Sequence, residues 1–99
     1  KNNRKEDATK VFNQALELNP TIKEIHLNLG YIAILNQDFI TAENSLKQAI
    51  ALDPDYVLAY ENLVLSAQIQ NKIEDTKLYL HKILEIAPNH KAKLILENL

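Results

Sequence analysis

Residues 45–54 read SLKQAIALDP, an apolar, helix-forming segment closed by a proline, and this segment decides the fold. Two further segments align with it without gaps, VFNQALELNP at residues 11–20 and YLHKILEIAP at residues 79–88. The chain contains three prolines, which close these segments at intervals of 34 residues: Pro20, Pro54 and Pro88. Self-similarity at a fixed period of this length indicates a repeat architecture.

The apolar residues within one period recur every three or four positions, as they do on one face of a helix. One such face consists of Ile25, Leu29, Ile32 and Ala33, and a second of Ala42, Leu46, Ala49 and Ile50. Polar residues at 36–38 and 70–72 separate the helices of each unit, so each unit contains two helices. No strand is expected, because valine and threonine are sparse and hairpin dipeptides such as Asn-Gly are absent. We predict helices at residues 4–18, 22–35, 39–52, 56–70, 73–86 and 90–98.

Single residues at the turns and in one helix carry further expectations. Thr21, Asp55 and Asn89 each follow a proline, where their side chains are expected to cap the next helix. Gly30 is the only glycine of the chain, and glycine in a helix interior costs about 1 kcal/mol relative to alanine. We therefore expect Gly30 to allow a neighbouring helix to approach closely.

A 34-residue helix–turn–helix unit that ends in proline resembles the tetratricopeptide repeat. Within residues 23–56, Leu29-Gly30 resembles the Leu-Gly pair of that family, Ala42 resembles its small residue in the second helix, and Pro54 closes the unit. Residues 57–90 resemble a degenerate copy, with Val64 where glycine is usual. The resemblance implies an all-α fold, a right-handed superhelical solenoid of antiparallel helix pairs.

The repeat register divides the chain as a single domain of one truncated and two complete units. Residues 1–22 correspond to the second helix of a truncated repeat, residues 23–56 and 57–90 to full repeats, and residues 91–99 to the start of a further repeat or a capping helix. Because the chain contains no methionine and begins within a unit, we expect it to be a fragment of a longer repeat protein. Lysine outnumbers arginine ten to one, a bias from which we expect a bacterial origin.

Composition excludes several classes of function. The 99 residues include 11 basic and 13 acidic side chains, and this net charge of −2 argues against a protein that follows a phosphate backbone. Six aromatic residues without tryptophan do not favour a stacking platform for bases, so we expect no nucleic-acid partner. Apolar runs are too short for the roughly 20 residues that cross a bilayer, so we expect no membrane insertion.

The residue types that perform catalysis or bind cofactors are sparse, so we expect no enzymatic activity, no metal and no cofactor. Zero cysteines remove thiolate catalysis and cysteine-ligated zinc, and one glycine cannot form a phosphate-binding loop. Two carboxylate pairs lie at inter-helix turns, where capping explains acidic residues: Asp53 with Asp55, and Glu74 with Asp75. The three histidines lack metal-ligand spacing: His26, His81 and His90.

What remains is a surface for binding. In helical-repeat solenoids the first helix of each pair lines a concave groove, and the resemblance implies a partner protein or peptide of apolar or amphipathic character. The implied groove residues are Glu24, Leu27, Asn28, Tyr31, Ile34, Leu35, Leu58, Glu61, Asn62, Leu65, Gln68 and Ile69. The family's carboxylate clamp is not expected, because Leu27 and Tyr31 occupy the turns where it has lysine and asparagine.

Alternatives stay open at this point. Apolar groove positions can instead pack within the array or lie under another element of the parent protein, and truncated ends favour self-association. Asn28 and Asn62 suit either structural hydrogen bonds or contact with a peptide backbone. The function that follows is a non-catalytic interaction scaffold, and the alternative is a regulatory or substrate-docking arm of an enzyme whose catalytic domain lies outside these residues.

Overall fold

A computed structural model describes residues 4–99, and within this range every regular element is a helix. The predicted all-helical fold is thus confirmed, and five of the predicted helices agree with the observed bounds to within one residue at either end. The helices are α1 Arg4–Leu18, α2 Lys23–Leu35, α3 Phe39–Leu52, α4 Val57–Ile69, α5 Ile73–Ile86 and α6 Ala92–Glu97. The last is shorter than the predicted 90–98.

The chain divides into two compact units, the first ending at Pro54 and the second beginning at Asp55. In the first unit α2 packs against both α3 and α1, and in the second α5 packs against both α4 and α6. Each unit thus contains one helix pair and one additional helix.

Small residues bring α2 and α3 together in the first unit. Gly30 faces the fully buried side chain of Leu46, and a Cβ atom at position 30 would lie 2.7 Å from Leu46 Cγ and 2.8 Å from Leu46 Cδ2. Ala42 and Ala49, one helical turn to either side of Leu46, are also fully buried. The expected role of Gly30 in close helix approach agrees with this geometry.

The second unit uses the same register with larger side chains. Its α5 buries Thr76, Leu80 and Ile83, which lie 34 positions after Ala42, Leu46 and Ala49. Leu80 and Ile83 form a core cluster with Val64 and Ala92, so α6 contributes to this core. The buried Thr76 hydroxyl is satisfied, because it donates to the Lys72 carbonyl at 2.8 Å. The repeat therefore conserves the buried positions while their volume differs between the units.

The turn between the two helices of a pair requires a left-handed residue in both units. Gln37 has a φ of 60° and Asn71 a φ of 59°, and the two positions are 34 residues apart. After Gln37, the Asp38 N–H donates back to the Ala33 carbonyl at 2.8 Å, and the Asp38 carboxylate accepts from the Thr41 N–H to begin α3. Asparagine tolerates this conformation better than glutamine does.

The helices after the prolines begin differently from the prediction. The N-cap residues are Ile22 for α2 and Tyr56 for α4, one position beyond the polar residues expected there, and neither side chain makes a capping bond. In the first of these turns the Asn19 side chain accepts from the Thr21 N–H at 3.1 Å and from its hydroxyl at 2.6 Å. Thr21 therefore closes the turn around Pro20 instead of capping α2.

The Gly30–Leu46 contact predicts that the effect of Gly30→Ala on the free energy of unfolding changes sign when Leu46 is replaced. Gly30→Ala should lower the free energy of unfolding by about 1 kcal/mol, because overpacking costs roughly 1–3 kcal/mol and helix propensity returns about 1 kcal/mol. In a Leu46→Ala background the side-chain atoms that a Cβ at position 30 would contact are removed. Gly30→Ala should then raise the free energy of unfolding by up to about 1 kcal/mol. Denaturation followed by far-UV circular dichroism measures both effects; equal effects in the two backgrounds would contradict the contact. Gly30→Leu should be more destabilising than Gly30→Ala.

The left-handed Gln37 predicts that glycine is favourable at this one position. Gln37→Gly should raise the free energy of unfolding by about 0.5 kcal/mol, since relief of the left-handed strain exceeds the added entropy of the unfolded chain. The matched control is Gln48→Gly on the exposed side of α3, which should lower it by about 1 kcal/mol. Thermal melts of the two variants should move in opposite directions, and a parallel loss would contradict the assigned backbone.

Candidate functional site

The predicted groove residues of the first unit lie on one side of α2. Glu24, Asn28, Tyr31 and Leu35 are exposed and Leu27 is half-buried. Ile34 is 2% exposed and therefore belongs to the core, so its side chain is not available to a partner. We call the five accessible residues the α2 surface.

The corresponding residues of the second unit are all at least partly accessible on α4. Leu58, Gln68 and Ile69 are exposed, and Glu61, Asn62 and Leu65 are half-buried. We call these six residues the α4 surface. Its exposed Ile69 occupies the same repeat register as Leu35, and both are 48% exposed.

Part of the α4 surface lines a pocket of about 180 Å³ formed by α4, α5 and the start of α6. The apolar lining includes Leu65 from α4, Leu80 and Ile83 from α5, and Ile95 from α6. Glu61, Gln68, His90 and Lys91 supply its polar groups. The prediction therefore identified three residues of this pocket, Glu61, Leu65 and Gln68, as site residues. We call it the α4–α6 pocket.

His90 connects the two sides of the α4–α6 pocket. Its Nδ1 accepts from the Ala92 N–H at 2.9 Å, so Nε2 carries the hydrogen and donates to the Glu61 carboxylate. The His90 side chain is 15% exposed, compared with 34% for Glu61. One imidazole thereby accepts from the first N–H of α6 and donates to a carboxylate on α4.

An ion pair connects the two ends of the helix pair in the first unit. The Lys23 ammonium at the start of α2 pairs with the carboxylate of Asp53, the residue that follows α3. About a third of each side chain is exposed, so the pair contributes little stability. The ion pair gives a structural role to Asp53, one of the two carboxylates in the Asp53 and Asp55 pair.

Six residues that line the pocket were not among the predicted site residues: the core residues Val64, Leu80 and Ile83, and also His90, Lys91 and Ile95. Ile95 lies 34 positions after Glu61 and could have been found by extending the register one unit further. His90 could not have been found in this way, because its role depends on a contact with a residue 29 positions earlier in the chain.

The described residues show no arrangement suited to metal binding or membrane insertion. Across residues 4–99, no three His, Asp or Glu side chains are grouped as metal ligands. None of the helices in this range is both long and apolar enough to cross a membrane. In the first unit, His26 has its Nε2 at 2.9 Å from the Pro20 carbonyl oxygen.

Comparison with protein-family models finds a match to the tetratricopeptide repeat over residues 11–44. The matched segment has the length of one 34-residue period and includes part of α1, all of α2 and the first part of α3. No curated protein matches the chain. Tetratricopeptide repeats generally bind proteins or peptides, so the match indicates a protein-interaction scaffold.

The His90 network predicts an unequal response of two histidines. His90→Ala should lower the free energy of unfolding by about 1–2 kcal/mol, because it removes the acceptor of the Ala92 N–H and the partner of Glu61. The control is His81→Ala at an exposed position of α5, which should stay within about 0.5 kcal/mol of the parent. Glu61→Gln keeps an acceptor for Nε2–H and should cost less than His90→Ala. Urea denaturation of the three variants tests this order, and equal losses for both histidines would contradict it.

Proposed function

We propose that this chain, which matches the tetratricopeptide repeat over residues 11–44, is a non-catalytic interaction scaffold that binds a partner peptide or protein through the α2 and α4 surfaces. The observation that carries the proposal is the exposure of apolar side chains at repeated register on these two helices. Leu35 and Ile69 are equivalent, as are Tyr31 and Leu65, and all four remain at least partly accessible.

Repetition distinguishes these positions from Ile40 and Leu78, whereas Leu18 and Leu52, at the ends of α1 and α3, are a further exposed apolar pair at equivalent register. Ile40 on α3 is 79% exposed, but its counterpart one unit later is the acidic Glu74. Leu78 on α5 is also exposed, and its counterpart is Asn44. Scattered apolar residues on a surface need no explanation, whereas apolar residues on the first helix of successive units are expected for the binding face of a helical-repeat protein.

Charge on the two surfaces favours an amphipathic partner over a purely apolar one. The α2 surface carries Glu24 beside Leu27, and the α4 surface carries Glu61 beside Leu65. A helical or extended peptide can bury its apolar side chains against such a surface while its polar side chains pair with the flanking groups.

Lysine substitutions test whether these surfaces bind the partner. The double variant Leu35→Lys, Ile69→Lys should reduce capture of a partner from a lysate at least about tenfold, because burying two ammonium groups against apolar side chains is unfavourable. The matched control is Ile40→Lys, Leu78→Lys, which adds the same charge on α3 and α5 and should leave capture unchanged. All four positions are exposed, so both variants should fold, as circular dichroism can verify. Equal capture by both variants, or equal loss, would contradict the proposal.

A further inference from the structure

We infer that the α4–α6 pocket binds one large apolar side chain of a partner peptide, and that Lys91 at its rim pairs with an acidic side chain next to that residue. This inference rests on the proposed function, because it takes the partner to be a peptide. It adds which part of the peptide is recognised and by which groups.

The size of the pocket fits a single side chain. Its volume is about 180 Å³. An apolar protein cavity of roughly 150 Å³ accepts benzene, whereas pockets for drug-sized ligands begin near 300 Å³. The pocket is therefore large enough for the side chain of a leucine or phenylalanine and too small for most whole metabolites.

The lining of the pocket favours an apolar occupant. Val64, Leu80 and Ile83 belong to the core cluster of the second unit, and Leu65 and Ile95 flank them. A polar group placed against these side chains would lose its hydration without gaining a hydrogen bond. An apolar side chain has no hydrogen bonds to water to lose, and its burial removes apolar surface from water, which contributes about 25 cal/mol per Å².

The rim supplies the charge preference. Two groups of opposite charge lie at the rim, the Glu61 carboxylate and the Lys91 ammonium. The Glu61 carboxylate already accepts the Nε2–H of His90. The Lys91 ammonium has no hydrogen-bond or ion-pair partner among the described residues, and the side chain is exposed. The cation is thus the group free to pair with a ligand, and its complement is a carboxylate.

The carboxylate is better matched by an Asp or Glu side chain than by a peptide C-terminus. Terminal carboxylates are typically captured in nests of backbone N–H groups. At this rim the Ala92 N–H already donates to His90 Nδ1, and the positive charge comes from one lysine on a flexible stem. A single flexible ammonium can reach a side-chain carboxylate without a fixed cradle.

The probe is a fluorescein-labelled decapeptide with blocked ends, containing one phenylalanine next to one glutamate in a Gly/Ser background. Binding to the 99-residue chain is measured by fluorescence polarisation at low ionic strength. Replacing phenylalanine by alanine should abolish measurable binding, and replacing glutamate by glutamine should weaken it about fivefold, as expected for loss of one exposed ion pair. A second peptide has glutamine in place of glutamate and a free C-terminal carboxylate on its phenylalanine, which distinguishes the two sources of charge.

Charge reversal in the protein assigns the cation. Lys91→Glu should weaken binding of the glutamate peptide by at least about fivefold and should bring its affinity close to that of the glutamine peptide or below it. The matched control is Lys93→Glu, which makes the same change two residues later on α6, outside the pocket lining, and should have a much smaller effect. Both lysines are exposed, so neither substitution should disturb folding.

The outcomes separate this inference from the proposed function. No binding of the probe, a preference for the free C-terminus, or equal effects of Lys91→Glu and Lys93→Glu would each overturn the inference. If Leu35→Lys, Ile69→Lys still abolishes partner capture in that case, the proposed function stands without this pocket. If the probe binds as expected while partner capture is unaffected by those lysines, the pocket recognises peptides and the proposed α2 and α4 surfaces are wrong.

Discussion

The contact between the two helices of each pair is the constraint on which the rest of the structure depends. Leu46 and Leu80 occupy equivalent positions and are 0% and 1% exposed. The residue opposite Leu46 is Gly30, and the equivalent residue in the cluster of Leu80 is Val64. The same register is therefore filled in two ways, by removing a side chain in the first unit and by packing additional methyl groups in the second. Since the distance between packed helices follows the side chains at their contact, the larger residues of the second unit require a wider space.

Most of the fold could be predicted because local and periodic signals agreed. Three equally spaced prolines set the period, and helical spacing of apolar residues set the faces, so the bounds of α1, α3 and α5 were predicted without error. The exceptions lie at the turns between helices. Polar residues after Pro20 and Pro54 favoured caps, yet the helices begin one residue later. No local signal indicates the left-handed Gln37, since glutamine is not a residue that favours this conformation.

The candidate site could be predicted as a face but not as a pocket. Adding 34 to each position of α2 gives the equivalent residue of α4, but this rule does not say how deeply each side chain is buried. It grouped Ile34 with Gln68, although Ile34 is buried and Gln68 exposed. The pocket depends on α6 and on His90, which lies in the turn before it and bonds to both α4 and α6. Such a bridge arises from chain geometry, so periodicity could not reveal it.

The two helices of a pair differ in how much of their surface is available to a partner, because they differ in which side chains they must bury. The second helix of each pair buries three side chains against the first helix, at positions 42, 46 and 49 in α3 and at positions 76, 80 and 83 in α5. These positions must fit the core, so their side chains cannot also be chosen to bind a ligand. On the first helix, the side away from the pair carries residues whose loss would not disturb the core, such as Leu35 and Ile69. Exposed apolar residues there have no evident benefit to the isolated unit, because they keep apolar surface in contact with water. Under the proposed function, a partner covers these residues and turns this cost into binding free energy, so a repeat that conserves its core register can retain accessible apolar residues at equivalent positions.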